Sequence, residues 1–215
     1  VSLPDTKGFT CPVVVTGNPV RRDVFAVGGQ KRGFDRRHLL IVGGSLGAHA
    51  LNKFMVEMLP VLKKAGVSIR HQTGVRDEPV VKEAYARAGY DPSCVTAFIN
   101  DMPGAYSWAD LVLCRAGAST VAELCGAGVP SILVPYPYAA GDHQTGNARA
   151  LEQAGAAVLF QEKSLSASFL GGTITGLFGE PDRLAMMSRA ALGLARCDAA
   201  SRVADQIEAV AVKRQ

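Results

Sequence analysis

Residues 111–134 read LVLCRAGASTVAELCGAGVPSILV, and this stretch decides the fold. The apolar runs 111–114 and 131–134 are too short for helices and are typical of strands that are buried on both faces. Between them, residues 119–126 have helical character and end at two glycines followed by Pro130. A strand, a helix and a strand in such close succession predict a βαβ unit, in which the two strands are parallel.

The same alternation continues in both directions along the chain. Further strands are predicted at 38–42, 67–71, 95–98 and 157–160, and further helices at 48–64, 79–88, 144–153, 183–196 and 201–212. We therefore expect an α/β fold, with a Rossmann-like, doubly wound parallel sheet of about six strands and helices on both faces. Ligands bind such sheets at the carboxyl ends of the strands, so the loops that follow strands carry the functional information.

Composition narrows the class of protein. The 215 residues are 48% hydrophobic, enough for one core, and the net charge of +4 comes without the basic block of a nucleic-acid binder. The five cysteines are widely spaced and form no metal-ligand pattern, which predicts reduced core residues of a cytosolic protein. Neither a secretory signal nor a membrane span is predicted, and a start at Val1 suggests a piece of a longer protein.

The first informative loop, residues 43–48, reads GGSLGA between a predicted strand and a predicted helix. Its glycines allow the backbone to approach a ligand, and free N–H groups at a helix start favour an anion such as a diphosphate. Tight turns also use glycine for steric reasons, and Ser45 is equally suited to capping the helix. Neither the GxGxxG nor the P-loop spacing is present, which disfavours nicotinamide and ATP sites.

The second loop leads from the strand at 111–114 into the next helix. Glu123 lies three residues after Thr120, and we expect both in the first helical turn. A carboxylate there is able to accept hydrogen bonds from two ribose hydroxyls. The same two residues also fit a capping box, which needs no ligand, so both interpretations stay open.

The third loop follows the strand at 131–134 and is rich in polar groups. Asp142, Gln144 and Asn147 suit a sugar with many hydroxyls, although Asp142 could instead cap the next helix. His143 would suit acid–base catalysis, but the sequence has no serine or cysteine nucleophile motif for it to activate.

Two shorter features remain ambiguous in the same way. Arg21 either neutralises a phosphate or is solvated. The main chain at Ile99 either reads the edge of a base or belongs to a turn into a helix capped by Asp101.

The order of these motifs is more specific than any one of them. GNPVR at 17–21, GGSLGA at 43–48, FINDM at 98–102, RAGASTVAELCGAGVPSILVPYP at 115–137 and DHQTGNA at 142–148 occur in this order. The series resembles the C-terminal domain of the MurG family, GT-B glycosyltransferases that transfer N-acetylglucosamine from UDP-N-acetylglucosamine to lipid I. Leu46 departs from the family pattern, which has glutamine there, but backbone anion binding does not depend on that side chain.

The resemblance implies a role for each candidate residue. Ser45, with the backbone of Gly44 and Gly47, would lie by the phosphates, and Arg21 would belong to the same face. Ile99 would hold uracil through its main chain, and Gln144 would contact the sugar with Asn147 nearby. The nucleotide would be lined by a run of six residues, with Thr120 near phosphate and Glu123 on the ribose: Ala118, Ser119, Thr120, Val121, Ala122 and Glu123.

The resemblance also implies the reaction. The family performs an inverting transfer in peptidoglycan synthesis at the cytoplasmic face of the bacterial inner membrane, as a peripheral protein. No Asp-x-Asp metal motif is present, and no metal or cofactor is expected. Residues 1–16 would be the end of a preceding domain or a linker, and 17–215 the donor-binding domain, with 201–212 packing back toward an N-terminal domain. That domain would supply the lipid I site and the general base, so no catalytic residue is expected here.

Two other functions share parts of the pattern. A UDP-N-acetylglucosamine 2-epimerase would have the superfamily motif at 115–137, but the combination of GNPVR with DHQTGNA is not expected in it. A nucleotide-sugar-binding module without chemistry would also satisfy the loops.

Overall fold

The computed structural model describes residues 1, 10–30, 33–44 and 48–212. The strands are β1 (His38–Val42), β2 (Ser68–Gln72), β3 (Val95–Thr96), β4 (Leu111–Cys114), β5 (Ser131–Leu133) and β6 (Ala157–Leu159). The helices are α1 (Arg22–Gly28), α2 (His49–Lys64), α3 (Glu78–Arg87), α4 (Met102–Trp108), α5 (Ala118–Ala127), α6 (His143–Gln153), α7 (Ala167–Phe178), α8 (Pro181–Gly193) and α9 (Ala199–Val212).

The six strands form one parallel sheet in the order β3-β2-β1-β4-β5-β6. The chain winds outward from β1 to β3, then returns to pair β4 with the other edge of β1 and winds outward again to β6. The point of reversal, between β1 and β4, is the topological switch point of a doubly wound sheet. The predicted Rossmann-like parallel sheet is therefore confirmed.

Both faces of the sheet are covered by helices, as the continuous apolar strands predict. In β1, Leu39 and Ile41 pack into a core with α2 and α7, whereas Leu40 and Val42 pack into a second core with α5. Successive residues of a strand point to opposite faces, so a strand buried on both sides needs apolar residues throughout.

Several elements differ from the sequence prediction. Helix α1 was not predicted, and α4 was predicted only as one of two interpretations of the segment at Ile99, because seven residues are too few to display a helical period. Strand β3 ends at Thr96 instead of residue 98, since its neighbour β2 ends at Gln72 and the chain turns at Gly74 with a φ of 79°. No pairing strand is left there for Phe98, which is 58% exposed.

The cysteines are free thiols, but they do not all belong to the core. Cys114 and Cys125 are buried, and burial raises the pKa of each thiol to about 12. Cys94 is half-buried, whereas Cys11 and Cys197 are exposed, so the prediction of core cysteines is wrong for these last two. Within the part of the chain that the structure describes, no helix is both long enough and apolar enough to cross a membrane.

A buried polar network ties β2 to α2 and α3. The His71 ring is fully buried, with Nδ1 at 2.9 Å from the Tyr85 hydroxyl and Nε2 at 3.0 Å from Asn52 Oδ1. The Asn52 amide nitrogen donates to the Thr73 carbonyl at 3.1 Å and to Asp77 at 2.7 Å, which leaves its oxygen to face His71. His71 is thus a neutral ring that donates through Nε2 and accepts from Tyr85, since burial lowers its pKa to about 3.

This network predicts a pH dependence of stability. An ordinary histidine gains its proton near pH 6.5, whereas His71 in the folded chain does so near pH 3. Between these values the unfolded chain binds more protons, so stability falls as the pH falls, by up to about 1.4 kcal/mol per pH unit. We expect H71Q, although less stable, to lose less stability than the wild type between pH 6.5 and about pH 4 in urea unfolding.

The control for this experiment is H143Q, which removes an exposed histidine. It should keep the wild-type pH slope. An H71Q slope as steep as that of the wild type would contradict the assignment.

Candidate functional site

The candidate residues gather around the crevice at the carboxyl ends of β1 and β4. Helix α2 follows β1 onto one face and α5 follows β4 onto the other, so the loops between strand and helix diverge here. Gly44 is exposed with a φ of 78°, and a side chain there would meet no atom within 4 Å. This backbone conformation favours glycine and leaves open space beside the loop. Ser45 and Gly47, together with Leu46, lie outside the described residues.

Helix α5 presents free backbone N–H groups to the crevice. Gly117 is the residue before the helix, and no side chain caps it. The first intrahelical bond runs from Val121 N–H to the Gly117 carbonyl at 2.9 Å, which leaves the amides of Ala118, Ser119 and Thr120 without an intrahelical partner. Ala118 and Ser119 are exposed, so these amides and the positive end of the helix dipole are available to an anion.

Glu123 is not part of a capping box. Helix α5 begins at Ala118, so Thr120 is its third residue and Glu123 its sixth, in the second turn and not in the first as expected. The half-buried carboxylate instead accepts a hydrogen bond from the Tyr106 hydroxyl at 2.8 Å. Of the two interpretations that the sequence left open, the capping box is thereby wrong.

Tyr106 was missed by sequence analysis, because nothing in the local pattern of α4 marks it. Burial, followed by the charge of Glu123, raises the pKa of Tyr106 well above its ordinary value, and Arg21 acts weakly in the opposite direction. The hydroxyl therefore stays protonated and donates to the carboxylate.

Arg21 lies at the start of α1, near enough to Tyr106 for its charge to act on that hydroxyl. Its side chain is 59% exposed, and its Nε lies 3.6 Å from Asp23 Oδ1. Such an exposed ion pair is weak, so an anion of higher charge is able to displace Asp23. The preceding turn is joined to α5 by a bond of 3.4 Å from the Asn18 amide to the Ser119 hydroxyl.

Ile99 lies between β3 and α4. Its side chain packs against the core that contains α5, and among the described residues its main chain makes no hydrogen bond. Asp101 caps α4 by accepting from Gly104 N–H at 2.9 Å, as one interpretation of this segment predicts. The cap uses a different residue, so it leaves the Ile99 backbone available to a ligand.

The polar loop after β5 places Gln144 and Asn147 on α6. The Gln144 side-chain oxygen accepts from Tyr136 N–H at 2.9 Å, which leaves its amide group free to donate. Asn147 donates to the Ala116 carbonyl at 2.9 Å and so holds the loop between β4 and α5. Asp142 precedes α6 as predicted, but its carboxylate accepts from the Thr145 hydroxyl at 2.6 Å and caps no backbone group.

The crevice thus brings most of the candidates onto the neighbouring ends of β4 and β5. Ala118, Val121, Ala122 and Asn147 line one cavity together with the turn at Gly17 and Asn18. Val121 is only 3% exposed, so its side chain packs in the core. Among the described residues, the side-chain hydrogen bonds of Glu123 and Gln144 go to Tyr106 and Tyr136 and not to each other.

Arg115 is a second residue that sequence analysis missed. Its guanidinium donates to the carbonyls of Val134 and Pro135, both at 3.1 Å, and pairs with Glu162 at 2.5 Å. It also lies over the Tyr136 ring, 5.6 Å from the centroid. The signal available in the sequence was a charged residue directly after a strand predicted to be buried. Arg115 therefore fastens the ends of β4, β5 and β6 to one another.

Comparison with known proteins identifies the family. Residues 38–208 match the family described as Glycosyltransferase family 28 C-terminal domain, and the chain belongs to it. The predicted resemblance to the C-terminal domain of a GT-B glycosyltransferase of this family is confirmed.

Two relatives that are nearly half identical to this chain carry the same name. The chain is 48% identical over 210 residues to the UDP-N-acetylglucosamine--N-acetylmuramyl-(pentapeptide) pyrophosphoryl-undecaprenol N-acetylglucosamine transferase of Nitratidesulfovibrio vulgaris (strain DP4). That match covers 95% of this chain and 58% of the relative. The protein of the same name from Lawsonia intracellularis is 47% identical, with 96% and 59% covered. The chain thus spans somewhat less than two thirds of the relatives it matches.

Solved structures agree with the fold. Acinetobacter baumannii MurG superposes with a TM-score of 0.75 at 35% identity, over 96% of this chain and 58% of that one. A putative UDP-N-acetylglucosamine 2-epimerase from Listeria monocytogenes gives 0.58 at 16% identity, over 91% of this chain and 49% of that one. This second likeness concerns the fold alone.

The contacts of Arg115 predict a large cost for its removal. R115A leaves two carbonyls and the mostly buried Glu162 without their charged partner, so we expect unfolding free energy to fall by about 2–3 kcal/mol. Urea unfolding at neutral pH measures this.

The matched control is R183A. It breaks an Arg–Glu pair whose side chains are 52% and 54% exposed, and should cost no more than about 1 kcal/mol. Equal losses in the two variants would show that Arg115 does not clamp the strand ends.

Proposed function

We propose that this chain is the donor-binding domain of an inverting glycosyltransferase that transfers N-acetylglucosamine from UDP-N-acetylglucosamine to lipid I and so makes lipid II in peptidoglycan synthesis. The observation that carries the proposal is the identity of 48% to transferases of that name over 95% of this chain. The crevice between β1 and β4 supplies the chemical groups that a nucleotide sugar requires.

The nucleotide would lie across the switch point. The free amides at the start of α5, including that of Thr120, would face the diphosphate, with the loop around Gly44, Ser45 and Gly47 on the side of β1. Arg21 would exchange its exposed partner Asp23 for phosphate. The free main chain of Ile99 would bind uracil, and Glu123 would accept from the ribose hydroxyls.

The sugar would lie toward α6. Gln144 has its oxygen fixed by Tyr136 N–H, so its amide would donate to a sugar hydroxyl. Asn147, through its bond to Ala116, would support the α5 amides that face the diphosphate.

The chemistry assigned to this half is stabilisation of a leaving group. When the 4-hydroxyl of lipid I attacks the anomeric carbon, the bond to UDP breaks and negative charge grows on the diphosphate. Backbone amides that are already oriented toward it would stabilise that charge. The general base and the lipid I site would belong to an N-terminal domain, so no residue described here is assigned as catalytic.

The same proposal covers the domain order and the setting. Residues 1–16 would be the end of a preceding domain or a linker, and 17–215 the donor domain. Val1 and Val14 line an apolar groove with Val203, Ile207 and Val210 of α9. We expect the N-terminal domain to cover this groove, so that 201–212 packs against it. The whole protein would act peripherally at the cytoplasmic face of the inner membrane and serve cell-wall growth, cell shape and division.

Calorimetric titration with UDP, UDP-N-acetylglucosamine, GDP and NAD tests the ligand class. We expect the two uridine ligands to bind and GDP and NAD to bind far more weakly. Tight NAD binding would contradict the proposal, and production of UDP-N-acetylmannosamine would favour an epimerase. The chain by itself should not transfer sugar to a lipid I analogue, because the proposal assigns the acceptor site and the general base to an N-terminal domain.

Substitution of Glu123 tests the ribose contact. We expect E123A to weaken UDP binding about tenfold, because charge-assisted hydrogen bonds to the ribose are lost. The control E152A removes an exposed carboxylate from α6 and should leave the affinity unchanged. UDP affinity of E123A equal to that of the wild type would remove Glu123 from the site.

The apolar groove gives a prediction about the full-length protein. Ile207 and Val210 are 65% and 56% exposed in this chain, so the double variant I207S/V210S should barely change its unfolding temperature. In the full-length protein the same substitutions should lower the unfolding temperature by several degrees. A decrease of about 1–2 kcal/mol in the free energy of unfolding has an effect of this size. Equal effects in both proteins would mean that the groove stays uncovered.

A further inference from the structure

Tyr106 makes the only hydrogen bond that the described residues give to the Glu123 side chain. The hydroxyl donates to Oε2 at 2.8 Å, and among the described residues the second carboxylate oxygen has no partner. Ionised Glu123 has lone pairs for several donors, so a single bond leaves most of its capacity unused. The open oxygen lies on α5, the helix whose first amides face the crevice.

The position of Tyr106 is fixed by the core. Its ring is fully buried among residues of α1 and α5, including Val24 and Val121. Its helix α4 is held at its start by the Asp101 cap. A buried phenol has essentially no freedom to move, so its hydroxyl defines a point against which the more flexible, half-buried glutamate side chain is held.

The simplest explanation of this contact would be that Tyr106 is a core residue whose buried hydroxyl needs a hydrogen-bond partner. For that purpose a backbone carbonyl would be enough. Here the partner is a half-buried carboxylate with one oxygen bound by Tyr106 and the other without a partner among the described residues. Such an arrangement removes rotamer freedom from Glu123 before any ligand arrives, which lowers the entropic cost of binding.

We propose that Tyr106 is a positioning residue for ribose recognition: its hydroxyl holds the Glu123 carboxylate in the rotamer that accepts the 2′- and 3′-hydroxyls of a uridine nucleotide. This inference rests on the proposed function, because it assumes that Glu123 faces a ribose. Tyr106 itself would not touch the ligand.

The test compares Y106F with the wild type by calorimetry, using UDP and 2′-deoxy-UDP. Phenylalanine keeps the ring in the core and removes only the hydroxyl. We expect UDP affinity to fall about three- to tenfold, since the freed carboxylate must be ordered during binding. Affinity for 2′-deoxy-UDP, which lacks one of the two hydroxyls, should fall less, so the preference for ribose over deoxyribose narrows.

A control and a double variant separate positioning from general damage to the core. Y85F removes another buried tyrosine hydroxyl, the one that bonds to His71 on the opposite face of the sheet. Its ribose preference should equal that of the wild type. In the E123A background, Y106F should change UDP affinity by less than about twofold, because the group that it positions is gone.

The outcomes distinguish this inference from the proposed function. If the wild type binds UDP with a preference for ribose and Y106F keeps both the affinity and the preference, Tyr106 is only a core residue and the inference is overturned. If Y106F weakens UDP and 2′-deoxy-UDP equally, the inference is also overturned, since the loss is not directed at the ribose. If the wild type binds no uridine nucleotide, the proposed function itself fails.

Discussion

The parallel pairing of β1 with β4 is the constraint on which the rest of the structure depends. Leu39 lies beside Leu111 and Val42 beside Cys114, so two strands far apart in sequence form the centre of the sheet. Because the connections of parallel strands share one handedness, helices that follow strands on the two sides of this pair pack on opposite faces. The loops therefore diverge at their carboxyl ends, and the crevice between them is a consequence of the winding.

Much of this architecture could be predicted, because a strand that is buried on both faces appears in the sequence as a continuous apolar run. The bounds of β1 and β4 match the prediction, since central strands are apolar at nearly every position and only His38, at the start of β1, is half-buried. Edge strands and short helices have a less distinct apolar pattern in the sequence. The end of β3 is decided by where β2 stops pairing, and the seven residues of α1 and α4 show no period.

The candidate site was predictable only as far as its determinants are local. The loop after β4 carried both a ribose-binding and a capping interpretation of Glu123, and the choice depended on where α5 begins. Tyr106 and Glu162 lie 17 and 47 residues from the side chains that they contact, Glu123 and Arg115. No local pattern reports such contacts, because the sheet brings these residues together only after its strand order is set.

The two faces of the sheet use buried tyrosines differently. On the β2 side, Tyr85, His71 and Asn52 bond to one another, and Asn52 also donates to Thr73 and Asp77. The polar groups of this network are therefore satisfied within the protein, and their effect is on stability. On the β4 side, Tyr106 donates to one oxygen of Glu123, and the other oxygen has no partner among the described residues. A polar group that is satisfied entirely within the core has no capacity left for a ligand. A carboxylate that is bound in the core at one oxygen and has no protein partner at the other keeps that capacity. On this difference rests the proposal that Glu123 recognises a ligand, whereas the network around His71 only stabilises the fold.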